Sequence, residues 1–111
     1  MGRQPAMQKR YRERRHALLG AVRRHFGAKA SMDGSAAGLH VVVWLPDLRP
    51  DRVEALIDAG VSRGVGAYSI ADYATRPRSR AGLLLGYGVT GVAQIQRGVK
   101  LLSDAYREVA G

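Results

Sequence analysis

An almost unbroken apolar segment, Leu39–Leu45, is the feature that most constrains how this chain can fold. Its residues are mainly β-branched or aromatic, which favours a central strand that is covered on at least one face. Pro46 ends the segment, because proline cannot donate a hydrogen bond to a sheet. The rest of the chain is therefore expected to cover this strand.

Apolar residues recur at helical spacing on both sides of the central strand. The spacing predicts a helix over Met7–Phe26, closed by Gly27 in a left-handed cap, and a short helix that begins at Pro50 and ends at Gly64. A last helix follows Thr90, a residue suited to the N-cap. The stripe predicted to be buried on this last helix consists of Val92, Ile95, Val99, Leu102 and Tyr106.

Two further strands are predicted at Val65–Ile70 and Gly82–Tyr87, whereas residues 28–38 are small and turn-forming. The order of elements is then helix, strand, helix, strand, strand, helix. That order favours an α+β domain in which helices pack on a small sheet. One edge of such a sheet is expected to need a cover.

The composition fits one compact domain, since 46% of the 111 residues are hydrophobic. The sequence has no cysteine, which excludes disulfides and thiolate metal sites and favours a reducing compartment. No apolar run is long enough to span a bilayer, and the N-terminus lacks the apolar stretch of a secretory signal. We therefore expect a cytoplasmic protein without membrane contact.

The three histidines of the sequence lack the spacing of metal ligands: His16, His25 and His40.

The net charge of +9 is concentrated near the N-terminus, where residues 1–35 contain nine basic and two acidic residues. The favoured interpretation is a solvated helix face whose long aliphatic stems cover an apolar seam. The alternative is a stand-alone basic module that binds nucleic acid or an acidic protein partner.

Residues 86–91 read Gly-Tyr-Gly-Val-Thr-Gly, which matches the G-x-G-x-x-G pattern of dinucleotide-binding folds. That pattern belongs to a βαβ unit in which another strand and an acidic residue follow. Only twenty residues follow Gly91 here, and their spacing is helical. A tight strand-to-helix turn is the preferred interpretation.

The sequence contains no recognisable catalytic constellation. There is no G-x-S-x-G motif, and no cysteine is available as a nucleophile. The carboxylates that cluster around the middle helix have structural positions: Asp47, Asp51, Glu54 and Asp58. Candidate substrate-binding residues are the arginines of the loop before the last strand, because guanidinium groups bind carboxylate or phosphate in a bidentate way: Arg76, Arg78 and Arg80. A solvated basic loop is an equally weighted alternative.

Five segments of the chain form a pattern in their order and spacing: Tyr11–Leu19, Ala37–Leu45, Gly64–Tyr73, Gly82–Gly88 and Ile95–Leu102. The G-L-H strand and the L-L-L-G-Y strand are together the most specific of them. The pattern resembles the C-terminal domain of the MocR branch of GntR-type transcription regulators. The resemblance covers nearly the whole chain.

Members of that family join a winged helix-turn-helix to a large fold type I aminotransferase-like domain that binds pyridoxal 5'-phosphate. The resemblance therefore implies a small C-terminal domain at residues 8–111, after a flexible N-terminus at residues 1–7. It implies an α+β fold with a small, mostly antiparallel sheet of three to four strands and helices packed on one face. In the parent protein it implies a homodimer and ligand-controlled transcription, with this domain covering the cofactor and effector site and touching DNA only indirectly. This chain alone is expected to bind no cofactor and to catalyse nothing.

One position departs from the related aminotransferases. Their small domain supplies an arginine, three residues before an aromatic on the last strand, that binds the substrate carboxylate. Here the aromatic is Tyr87, so the matching position is Leu84. Either the ligand is bound differently, or an arginine of the preceding loop reaches the site.

Overall fold

The computed structural model describes residues 5–33, 40–69, 81–86 and 91–110. Short 3₁₀ turns lie at Gly27–Lys29 and Pro50–Arg52. The helices and strands are α1 (Pro5–Phe26), β1 (Ser31–Asp33), β2 (His40–Trp44), α2 (Val53–Ser62), β3 (Tyr68–Ser69), β4 (Gly82–Gly86) and α3 (Val92–Ala110).

The strands form one antiparallel sheet in the order β1-β2-β4-β3. The predicted central strand is indeed central, since Val43 of β2 lies between Met32 of β1 and Leu83 of β4. The expected α+β fold, with a small antiparallel sheet and helices on one face, is confirmed.

Side chains alternate between the two faces of the sheet, as the pleat requires. Val41, Val43, Leu83 and Leu85 are almost fully buried and belong to the same core cluster as residues of all three helices. The intervening residues of β2 and β4 are only half-buried. The helices therefore cover the face that holds the first set.

Helix α3 packs against both α1 and α2. Helices α1 and α3 run parallel, because Val92 at the start of α3 lines the same groove as Glu13, and Phe26 meets Tyr106 near the other end. The predicted stripe of α3 is buried from Ile95 onward, but Val92 is 38% exposed, so that part of the prediction was wrong. Val92 lies in the first turn of α3, at the open groove that it shares with Glu13.

The predicted ends of the first two helices are close to those observed. Gly27 and Gly64 both have positive φ, +57° and +83°, which favours glycine because other residues are strained there. Helix α1 begins at Pro5, two residues before the predicted start. Proline is tolerated in a first helical turn, where its missing N–H has no helical partner to lose.

An N-cap at Thr90 would make Gly91 the first residue of helix α3. The helix instead begins one residue later, at Val92. Gly91 precedes the helix, its carbonyl accepts a hydrogen bond from Ile95, and its own N–H donates to Oε1 of Gln94 at 3.2 Å. This is the glutamine half of a capping box, which satisfies an otherwise unpaired donor. Thr90 itself lies outside the described residues.

The prediction that residues 28–38 form only turns was wrong, because Ser31–Asp33 is a strand paired with β2. Met32 packs against the core while its two neighbours are exposed. Three residues are too few to display a period in the sequence, so the partner strand determines this one. Of the second predicted strand, Val65–Ile70, the residues Tyr68–Ser69 form a strand and Val65–Ala67 do not, while Ile70 lies outside the described residues.

Adjacent leucines of β4 test which face the helices cover. We expect Leu83→Ala to lower the free energy of unfolding by about 2–5 kcal/mol, because it leaves a cavity in the core. Leu84→Ala should cost less than half as much, since Leu84 is only half-buried. Urea unfolding of both variants measures the difference, and equal losses would contradict the assignment of faces.

Two glycines test the helix termination at Gly27. Gly27→Ala should lower the free energy of unfolding by about 1 kcal/mol, because alanine is strained at positive φ. Gly20→Ala is the control: Gly20 lies within α1, and an added Cβ would meet no atom within 4 Å. It should raise stability by about 0.5–1 kcal/mol through helix propensity. Thermal or urea unfolding reports both, and two shifts of the same sign would refute the argument.

Candidate functional site

The three candidate arginines, Arg76, Arg78 and Arg80, lie outside the described residues, as does Tyr87. Leu84, the position matched to the missing arginine, lies in the middle of β4. It pairs with Val42 of β2 on one side and with Tyr68 of β3 on the other. Leu84 therefore lies at the centre of the sheet face that the helices leave uncovered.

We call Val42, Trp44, Tyr68 and Leu84 the outer patch. They follow the alternation that puts their neighbours into the core, so they share the opposite face. Tyr68 is 57% exposed and the other members are half-buried. Exposed apolar side chains on one face of a sheet are suited to contact with another apolar surface or ligand. The members of the patch offer no charged group to a carboxylate.

The lysines of the chain do not form a site for pyridoxal phosphate among the described residues. Lys9 and Lys29 are exposed, on α1 and on the turn after it. Lys100 is exposed on α3 and pairs with Asp104 at 3.5 Å. Desolvation tends to raise the pKa of Asp104, but Lys100 and Arg107 outweigh it and lower that pKa. The three lysines lie on separate elements and none is on the outer patch, so they do not fit the cofactor.

The carboxylates and histidines are likewise dispersed. Asp51 pairs with Arg49 at 3.2 Å on the surface before α2. Within the described ranges, no group of three or more histidine, aspartate or glutamate residues is placed to hold a metal ion. The structural roles predicted for the carboxylates near α2 stay a prediction.

The geometry around Gly86 and Gly91 disfavours a dinucleotide site. Gly86 ends β4 and Gly91 precedes α3, while residues 87–90 lie outside the described residues. Strand β4 is antiparallel to both of its neighbours. The dinucleotide fingerprint needs a parallel βαβ unit, so the preferred interpretation as a strand-to-helix turn fits the topology.

The basic face of α1 is exposed in part. Lys9, Arg10 and Arg12 are exposed, whereas Arg14 and Arg15 are partly buried and interact with other residues of the chain. This mixture agrees with long side chains that cover a helix seam. Nucleic-acid binding by this face stays a prediction.

None of the described helices is long and apolar enough to cross a membrane.

A cavity of about 520 Å³ lies where α1 and α3 end, and it is lined by His25, Asp47, Tyr106 and their neighbours. The Tyr106 ring meets Phe26 edge-on, with ring centroids 5.5 Å apart. Burial raises the pKa of the Tyr106 phenol, and the charge of Asp47 raises it further. A neutral phenol is therefore favoured here over the phenolate.

A second cavity, of about 510 Å³, lies between the end of α2 and the first half of α3, and it was not predicted from the sequence. Arg63 and Arg97 are its charged lining residues among those described. They are 34 positions apart in the sequence, and neither lies in a recognisable motif. Only the packing of α2 on α3 brings them together.

Solved structures share this fold. The α-aminoadipate aminotransferase LysN of Thermus thermophilus, solved with N-(5'-phosphopyridoxyl)-L-leucine, matches 91% of this chain with a TM-score of 0.79 and 22% identity. The multiple substrate aminotransferase of Thermococcus profundus matches 91% with a TM-score of 0.79 and 20% identity. An aspartate transaminase of Corynebacterium glutamicum matches 92% with a TM-score of 0.77 and 9% identity.

These likenesses define the class of fold as an aminotransferase small-domain-like α+β unit. The chain spans about a quarter of the length of each of the three aminotransferases. No protein-family model and no curated protein sequence matches it.

The phenol of Tyr106 predicts a loss of stability in alkaline solution. Because its pKa is raised in the folded state, its contribution to the free energy of unfolding is complete below pH 10 and is lost as the pH rises through the folded pKa. Tyr106→Phe should therefore lose less stability than the unmodified chain between about pH 8 and pH 11. Urea unfolding at both values measures this, with Tyr68→Phe, at an exposed ring, as the control. An alkaline loss that Tyr106→Phe leaves unchanged would contradict the prediction.

Proposed function

We propose that this chain is the C-terminal small domain of a pyridoxal-phosphate-dependent, aminotransferase-like transcription regulator. In that parent protein it covers the cofactor and effector site formed by the large domain. By itself it holds no cofactor and catalyses nothing. The parent is proposed to be a cytoplasmic homodimer that contacts DNA through a separate winged helix-turn-helix.

The main support is the match of nearly all of this chain to only about a quarter of each aminotransferase. A unit of that size within a larger protein needs a surface for the remainder. The outer patch is such a surface, because it is apolar and lies opposite the helices. The regulatory part of the proposal is supported by the sequence segments that resemble the C-terminal domain of MocR-type regulators.

The residue at position 84 affects how the parent protein can bind the carboxylate of a ligand. An arginine there would bind a carboxylate through two parallel hydrogen bonds. Leucine at the centre of the outer patch offers only apolar contact, so the effector is proposed to be bound without a carboxylate contact at this position. Its carboxylate, if it has one, would be bound by the arginines of residues 76–80.

The first test uses the 111-residue chain with pyridoxal 5'-phosphate, followed by borohydride reduction and peptide mass mapping. We expect no adduct concentrated at one lysine, because Lys9, Lys29 and Lys100 lie apart on exposed helix or turn positions. Scattered trace labelling of all three agrees with this. A stoichiometric adduct at a single lysine would contradict the proposal.

The second test uses the DNA that encodes the region upstream of Met1 and the longer protein that it specifies. The proposal requires an in-frame large aminotransferase-like domain there, preceded by a winged helix-turn-helix. A gene whose upstream sequence lacks both would refute it.

In that longer protein, Leu84→Arg should shift effector preference. Relative to the corresponding amine without a carboxylate, the affinity for an amino acid should rise by about tenfold, as expected for one charge-assisted contact. Titration followed by the visible absorbance of the bound cofactor measures both affinities. Leu84→Met is the apolar control and should leave their ratio unchanged. An unchanged ratio in Leu84→Arg would show that this position does not face the ligand.

A further inference from the structure

We propose that the cavity between α2 and α3 is a binding site for a small amphiphilic anion, a carboxylate or phosphate monoester attached to an apolar body. The cavity lies between the helices and the sheet, because Leu18 of α1, Leu85 of β4 and Leu102 of α3 all contribute to its wall. It is thus on the opposite side of the sheet from the outer patch. The proposal does not depend on the proposed function.

Apolar side chains form the floor of the cavity, while its rim is polar. Leu85, Ile95, Val99 and Leu102 line this floor, and all four are buried members of the core. Its volume of about 510 Å³ is that of a small-molecule pocket, and such pockets combine apolar walls with a few converging polar groups. An alkyl or aryl group could therefore gain apolar contact at this floor, which an inorganic ion could not.

The polar groups of the cavity are positively charged or neutral. Its charged lining residues among those described are Arg63 and Arg97, and Gln94 lies one helical turn before Arg97. None of the described lining residues is acidic. The cavity therefore selects against cations and favours an anionic head group.

The two arginines differ in how they are held. Nη1 of Arg63 donates to the carbonyl of Ala59 at 3.1 Å and lies 3.1 Å from Oε1 of Glu108, which fixes the guanidinium at the cavity. Arg97 is exposed, and the described residues provide no carboxylate partner for it. Arg97 is therefore the group available to an anion, while the charge of Arg63 is already compensated by Glu108.

Glycines keep the cavity open. Gly64, Gly66 and Gly98 line it, and a Cβ added at any of them would meet no atom within 4 Å. Gly98 lies one turn after Gln94 and one turn before Leu102, on the helix face that lines the cavity. A larger side chain at Gly98 would therefore occupy the space of the ligand while favouring the helix.

The test is a titration of the ¹⁵N-labelled 111-residue chain followed by amide chemical shifts. The probes are hexanoate, hexyl phosphate, hexylammonium and inorganic phosphate. We expect hexanoate or hexyl phosphate to shift the amides of Gly64, Gly66 and Gly98 in a saturable way, and the tighter of the two identifies the head group. Hexylammonium and inorganic phosphate should bind at least about tenfold more weakly, because each lacks one of the two features that the cavity recognises.

Three variants decide whether the binding is at this site. Arg97→Gln should weaken the binding of the preferred anion by about tenfold or more, as loss of a charge-assisted hydrogen bond predicts. Arg23→Gln removes the same charge from the exposed side of α1 and should leave the affinity unchanged. Gly98→Leu should abolish binding, with circular dichroism confirming that the helices are retained.

Four results would overturn the proposal. The first is equal binding of hexylammonium and the anions, and the second is equal loss of affinity in Arg97→Gln and Arg23→Gln, which would indicate attraction to the overall positive charge. The third is full binding by a folded Gly98→Leu variant. The fourth is binding of inorganic phosphate as tight as that of hexyl phosphate, which would exclude a role for the apolar floor.

Discussion

The packing of α3 against α1 and α2, on the covered face of the sheet, is the contact on which the rest of this structure depends. Ile95, Val99 and Leu102 are buried on one side of that helix, and α1 and α2 both pack against it. Because α1 and α2 each meet α3, its position determines where the ends of both helices lie. The alignment of Phe26 with Tyr106 and the formation of the cavity beside Arg63 both follow from that arrangement.

The elements predicted correctly are those whose sequence signal is periodic and long. The helices that end at Phe26 and Ser62, and the central strand at His40–Trp44, were located because burial on one face requires a repeat that a sequence displays. Strand β1 was missed because its three residues gain their hydrogen bonds from β2 rather than from any propensity of their own. The strand predicted over Val65–Ile70 was too long at its start, because Val65–Ala67 are not in a strand although β4 continues past Leu84 to Gly86.

The candidate site was less predictable than the fold. The alternation of side chains along a strand predicts that Leu84 faces away from Leu83 and Leu85. Which of the two faces the helices cover depends on long-range packing, and only the structure supplies it. The cavity with Arg63 and Arg97 gave no signal in the sequence, because its two charged residues lie on different elements and its glycines match no motif. Spatial proximity across α2 and α3 is a property of the packed fold.

The two faces of the sheet differ in environment, which explains why a chain with a net charge of +9 has no charged residue at the middle of its outer patch. Placing a guanidinium at Leu84 would partly desolvate a charge among Val42, Trp44 and Tyr68, which costs free energy unless an anion compensates for it. Leucine avoids that cost and makes the patch suitable for apolar contact whether or not a ligand is present. Arg97 on α3 and Arg63 at the end of α2 avoid this desolvation cost, because Arg97 is exposed and Arg63 is paired with Glu108. Charged residues are therefore tolerated at the rim of the helical layer but not in the middle of the outer patch. An anion recognised by the described residues is accordingly expected on the helical side of the sheet.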